Sequence, residues 1–334
     1  MQITPAMSCI THTLYRFGGL GSGHYGYMAL REDGCVGAYS HPNECRYELR
    51  DGELRFLNAA GETTNLLRYY PDANVFLGTE LYLLPVLRLN AVPETSTLPP
   101  LLINSIPKSG TYFVEAAMAR LGMQPLRLHL SSHLLHDYRG IAEADMHRQP
   151  EARAVNAPAG AVATLLRPGS VVVGHLEDHG QLNAVKDAGV RIFHLTRDLR
   201  EVLISLYHFK KDRVAPVSPA DNAWRSLPPE ESFIAFLVCF EKIDIRHIAA
   251  IAATILDRAE PVLHYAQAIN GIVPPELEYP GFGEALRATR GQPTSTLSRR
   301  DRGAMLWSPA AEEFFSASGL RSLNQRLGYG CSDM

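Results

Sequence analysis

Ile106-Pro107-Lys108-Ser109-Gly110-Thr111 sets a lysine, two hydroxyls and a glycine between an apolar run and a stretch of helical spacing. A strand-to-helix junction of this kind exposes unpaired backbone N–H groups at the positive end of a helix dipole and makes an anion cradle. It is not a Walker A loop, which needs G-x-x-x-x-G-K-[ST]. A second anion-binding pair is Arg197, at the turn before a helix, and Ser205, eight residues on. They meet on one anion only if Arg197 folds back along that helix. The third feature is His175, at the end of the apolar run Val171–Gly174. Carboxyl ends of strands line the ligand crevice of open α/β sheets, and a histidine there suits a general base. Glu177 and His179 stand two and four residues further on as alternative bases. His129, His133 and His136 would suit zinc if helical, but a strand across Leu126–Leu130 breaks that helix and no cysteine or carboxylate partner is evident.

Two kinds of element must position these residues. Up to about residue 95, turn signals such as Arg31–Gly34, His41–Glu44, Arg50–Gly52 and Ala59–Gly61 separate short runs, among them His24–Leu30 and Glu53–Leu57. This spacing predicts a small antiparallel β domain over 1–95. Its His41, Asn43, Glu44, Tyr25, Tyr27, Tyr39 and Tyr47 suit either sugar rings or an ordinary β core with its turns. The Pro- and Thr-rich stretch 91–100 reads as a linker. Beyond it the buried runs Leu101–Ile106, Ser170–Gly174 and Arg191–Thr196 alternate with helical stretches at Thr111–Leu121 and Asp198–Phe209. That predicts an α/β domain over 96–334 with a parallel β-sheet flanked by helices, including a long helical stretch at Glu230–Leu256.

Composition bounds the function. The chain has 334 residues, 46% apolar and 20% charged, with a net charge of −3. No global basic field is present to hold nucleic acid. No apolar run approaches the roughly 18–20 residues of a bilayer span, and no secretory signal opens the chain. Five scattered cysteines argue for reduced thiols and a cytoplasmic location.

Taken in order, the three segments resemble the sulfotransferase family, whose enzymes use 3′-phosphoadenosine 5′-phosphosulfate (PAPS). The family's 5′-phosphosulfate loop, Pro-Lys-Ser-Gly-Thr-Thr-Trp, corresponds to Pro107-Lys108-Ser109-Gly110-Thr111-Tyr112-Phe113. Its 3′-phosphate segment corresponds to Arg197 through Ser205 to Phe209, and its Thr-His-Leu-Pro base segment to Gly174-His175-Leu176-Glu177. His175 and Arg197 stand 22 residues apart, as in the cytosolic branch of that family. The resemblance runs from about residue 100 to the end, where Arg299, Arg300 and Arg302 precede Trp307 and Leu327-Gly328-Tyr329. It implies a sulfotransferase-like P-loop NTPase-type fold and sulfuryl transfer from PAPS to an acceptor hydroxyl, with no metal required. Lys108 and His175 would be catalytic. Lys108, Ser109, Gly110, Thr111, Tyr112, Phe113, Arg197 and Ser205, with one of Arg299, Arg300 and Arg302, would bind the donor. Phe113 replaces a tryptophan that stacks on adenine, and Tyr112 replaces a threonine that touches phosphate. The family's vertebrate-type dimerisation segment is absent. The histidine-rich segment would line the acceptor pocket. The acceptor is expected to be a glycan, glycolipid or secondary metabolite of a bacterial cytoplasm. An ATP-using kinase and a non-catalytic glycan-binding protein are the alternatives.

Overall fold

The computed structural model describes residues 10–89, 97–142, 145–146, 153–216, 218–277, 279–290 and 306–330. The first unit is an antiparallel meander of eight strands: β1 (Thr13–Gly19), β2 (Gly23–Leu30), β3 (Val36–Gly37), β4 (Arg46–Arg50), β5 (Glu53–Leu57), β6 (Thr63–Tyr70), β7 (Val75–Leu77) and β8 (Leu81–Arg88). β1 pairs with both β2 and β8, and a lone antiparallel bridge between Cys35 and Arg46 joins the two remaining edges. The sheet therefore closes into a barrel. Its interior is filled, with Phe17, Phe56, Phe76, Leu54 and Leu67 at 0–1% exposure. The outside of β1 is buried as well, because Leu14 joins Leu87 and Leu89 in a cluster shared with Leu102, Leu126 and Val172 of the second unit. Tyr27 reinforces the junction by donating to the Asn156 carbonyl at 2.7 Å.

The second unit is built on a seven-stranded sheet. Five strands are parallel: β9 (Leu101–Ser105), β10 (Gln124–Leu130), β13 (Ser170–Gly174), β14 (Arg191–Thr196) and β15 (Val262–His264). β11 (Leu134–Asp137) and β12 (Ala154–Asn156) extend one edge antiparallel. The spatial order of the parallel strands is β10-β13-β9-β14-β15, or 2-3-1-4-5 by sequence. The central strands are apolar runs because both faces are covered. Leu101, Ile103, Val171 and Val173 face α1 (Thr111–Arg120), while Leu102 and Val172 face the opposite layer. Ile106 enters a third cluster with α4 (Leu199–Arg213) and α6 (Pro229–Phe240). In sequence, α2 is Ala159–Ala163, α3 His179–Asp187 and α5 Pro219–Arg225. Helix α6 runs through a π turn, Glu241–Ile245, into α7 (Arg246–Leu256). After α8 (Tyr265–Ala268) and α9 (Phe282–Thr289), α10 (Pro309–Ala317) and α11 (Leu320–Arg326) close the fold. Among the described residues no helix is long and apolar enough to cross a membrane.

Candidate active site

β9 is the switch point of the sheet, with β13 on one side and β14 on the other, and ligand crevices form at such points. The loop after β9 turns through Lys108 at φ +66° and Gly110 at φ +93°. Left-handed backbone disfavours side chains, so Lys108 is a strained position. Gly110 is required twice over, because a Cβ there would also lie 2.5 Å from the Tyr265 ring. Gly110 caps α1 without a side-chain acceptor, leaving the first-turn N–H groups for another partner. Ser109 is 0% exposed and its hydroxyl has no hydrogen-bond partner. Buried hydroxyls are rarely left unsatisfied, and this one lies in the loop that presents those N–H groups.

Arg197 leans back along α4. Its Nε donates to Glu201 at 2.8 Å and its NH1 donates to the Lys108 carbonyl at 3.2 Å. The guanidinium also lies 4.7 Å from the centre of the Tyr265 ring. Glu201, Ser205 and Phe209 recur every four positions on α4 and share a face, which Arg197, just before the helix, reaches through Glu201. Phe209, at the far end of that face, carries the Lys108 ammonium 3.9 Å above its ring. Ser205 is thus half-buried on the face that meets the loop.

His175 follows β13 across the crevice. Its Nδ1 lies 2.7 Å from the Ser105 carbonyl, which can only accept, so Nδ1 carries the proton and Nε2 the lone pair. Burial holds the imidazole down to about 3, aided by the charges of His247 and Lys108 and opposed by the Ser105 carbonyl. Asn104 grips the turn behind it: its Oδ1 accepts from Leu176 N at 2.7 Å and its Nδ2 donates to Leu176 O at 3.1 Å. Asn104 and Ser105, both 0% exposed, are polar residues inside an apolar strand. Two polar residues closing an apolar run are the signal that marks them in the sequence. Nothing local in the sequence marks Tyr265, a tyrosine that opens a four-residue helix directly after β15.

The histidine-rich segment is a hairpin, not a helix. Arg127, at φ +56°, bulges β10 so that the register moves from Pro125 opposite Val171 to His129 opposite Val173. Bulges re-aim side chains beside active sites. His129 meets the His175 ring edge to face at 4.4 Å and lies 3.0 Å from the Tyr112 hydroxyl at Nδ1. Burial raises the Tyr112 phenol well above its usual range, so it stays protonated. His133 instead pairs with Asp178 at 3.4 Å, and His136 stacks on Tyr138. The three histidines do not converge on one point. Among the described residues no cluster of three His, Cys, Asp or Glu is grouped to hold a metal.

Two expected donor contacts change. Phe113 is 1% exposed in the α1 core, so its ring offers no face for adenine. The aromatic ring over the loop is that of Tyr265. Tyr112 turns from the loop to His129. Of the alternative bases, Glu177 lies 3.5 Å from His247, and His179 is exposed at the start of α3. Arg299, Arg300 and Arg302 lie outside the described residues.

The family model described as "Sulfotransferase domain" matches residues 98–244, a span that includes the phosphate loop, His175, Arg197 and Ser205. Residues 98–244 form a sulfotransferase domain. Among solved structures the chain is similar to mouse sulfotransferase SULT7A1 complexed with PAP. That match has 14% identity and a TM-score of 0.39, and covers 79% of this chain and 99% of the mouse chain. No curated protein sequence matches. In the N-terminal barrel, four of the side chains that suited sugar rings are engaged in structural contacts, while Tyr25 stays 47% exposed. Tyr47 is 5% exposed and donates to the Arg31 carbonyl, Glu44 holds His41 at 2.7 Å, and Tyr39 packs on Phe17.

Proposed function

We propose that the sulfotransferase domain uses PAPS as donor, with His175 as the base toward an acceptor hydroxyl on a glycan, glycolipid or secondary metabolite. The observation that carries the donor reading is the orphaned Ser109 hydroxyl, buried in a loop that also presents free N–H groups and the Lys108 side chain. Backbone N–H groups and the hydroxyls of Ser109 and Thr111 would hold the 5′-phosphate. Arg197 and Ser205 would hold the 3′-phosphate, the arginine fork suiting a planar pair of oxygens. The acceptor oxygen attacks sulfur in line and forms the new S–O bond as the S–O bond to the 5′-phosphate breaks. Its proton passes to His175 Nε2, and 3′,5′-adenosine bisphosphate leaves. Lys108 swings from Phe209 to neutralise the charge growing on the leaving oxygen. Preorganised donors of this kind are typically worth about 10²–10³ in rate each.

Calorimetric titration with 3′,5′-adenosine bisphosphate, ATP and 5′-AMP tests the donor. Tight binding of the bisphosphate with weak binding of the other two is expected. ATP bound as well as the bisphosphate would overturn the donor assignment in favour of a kinase-like site. Assay of a panel of glycan, glycolipid and phenolic hydroxyls with labelled PAPS then identifies the acceptor.

A further inference from the structure

We propose that the Ser105 hydroxyl couples occupation of the phosphate loop to the strength of the base. Ser105 is a positioning residue here, and the proposal rests on the donor reading above. Its Oγ lies 2.7 Å from Thr111 Oγ1, 3.2 Å from His175 Nδ1 and 3.4 Å from the Gly174 carbonyl. It is wholly buried, so these neighbours and not bulk water decide where its one proton goes. In the free protein that proton has two acceptors, the distant Gly174 carbonyl and the Thr111 hydroxyl. Thr111 is the first residue of α1, directly after the loop. An anion in the loop draws the Thr111 proton toward itself. The lone pairs of Thr111 then take the Ser105 proton, and those of the Ser105 hydroxyl turn to the Nδ1–H of His175, which the hydroxyl shares with the Ser105 carbonyl as a three-centre bond.

The result is a single-direction chain: His175 Nδ1–H to Ser105, Ser105 to Thr111, Thr111 to the anion. Hydrogen bonds in such a chain polarise one another, and the whole favours a positive imidazolium at the end opposite the negative ligand. This matters because the free site holds the imidazole far below the range a general base needs. The base is weak until the donor is in place. By linkage, a protonated His175 tightens anion binding by the same factor. Other groups also face His175: the Lys108 and His247 charges, the His129 ring, and Glu177 through His247. They act without passing through Ser105, so a Ser105 variant separates its share from theirs.

The test follows the His175 imidazole by NMR across a pH titration, with and without 3′,5′-adenosine bisphosphate. The His175 signal is the one missing from His175→Gln. In the unsubstituted protein the bisphosphate should raise the His175 midpoint by about one pH unit or more, as a new neighbouring charge does. Ser105→Ala should still bind the bisphosphate, within about threefold given the loss of one neutral hydrogen bond, yet show no more than about half that rise. Ser105→Thr, which restores the hydroxyl, should recover it. An equal rise in Ser105→Ala and the unsubstituted protein overturns the coupling while leaving the donor reading intact. Failure of the unsubstituted protein to bind the bisphosphate overturns both.

Discussion

Asn104 and Arg197 show how single residues divide the work at the site. Asn104 touches neither ligand pocket directly but fixes the peptide beside His175 from both sides. Asn104→Leu leaves the Leu176 N–H and C=O without these partners and lets the turn move. A displacement of about 1 Å costs roughly 10²-fold in turnover, so kcat should fall by about that factor while bisphosphate affinity holds. Unchanged kcat in that variant would show that the turn is fixed by other means. Arg197→Ala should do the reverse. Losing a charge-assisted pair to phosphate costs about 1.5–3 kcal/mol, or roughly 10–100-fold in bisphosphate affinity. Calorimetry reads this directly, and equal affinity in the variant would remove Arg197 from the 3′-phosphate site. His175→Ala should lower turnover by about 10²–10⁴ with bisphosphate binding retained. Near-normal turnover would pass the role to Glu177 or His179.

At the level of elements, α4 is held in place by Glu312 of α10. The Glu312 carboxylate accepts from Arg200 at 2.9 and 3.1 Å, from Arg321 at 2.6 Å and from Trp307 at 2.6 Å. The Arg200 hydrogen bonds come first among the causes that hold its carboxyl down to about 2. A carboxyl whose folded pKa is depressed adds stability that is full above its unfolded value and lost as pH falls. For Glu312 the window runs from the unfolded value of 4.5 down to about 2. After discounting for partial exposure the contribution is about 2 kcal/mol near neutrality. Glu312→Gln should therefore lower chemical stability at pH 7 and flatten the acid limb of the stability curve, and an unaltered acid limb would count against this. Little of this network was legible in the sequence, since Arg200, Glu312 and Arg321 are far apart and no local pattern joins them. The strands were legible, because burial on both faces makes most of β9, β13 and β14 apolar. The phosphate loop, His175 and Arg197 stood out because their residue types sit at strand ends. The bulge at Arg127 did not, because a left-handed arginine has no compositional mark. It is that bulge which brings His129 to the base.

At the scale of the whole molecule, the barrel and the sulfotransferase domain share a core. Leu14 of the barrel and Leu102 and Val172 of the second sheet are all at 0% exposure in one cluster. Both tryptophans of the chain, Trp224 and Trp307, pack in the helical layer of the second unit. Tryptophan fluorescence therefore reports that unit alone. Leu14→Ala should still shift the fluorescence midpoint, by the about 2–5 kcal/mol that a buried leucine is worth. If the fluorescence midpoint stayed fixed while circular dichroism of the strands moved, the two units would be unfolding independently.

The closure of the barrel is uneven. Seven residues of β1 pair with β8, while the seam between β3 and β4 has one bridge and the flanking bonds Val36 N to Cys45 O and Tyr47 N to Gly34 O. Local opening starts where the fewest contacts must break. In deuterated water the amides of Val36 and Tyr47 should exchange long before those of β1, so the cylinder would open at this seam while the side that carries Leu14 stays shut.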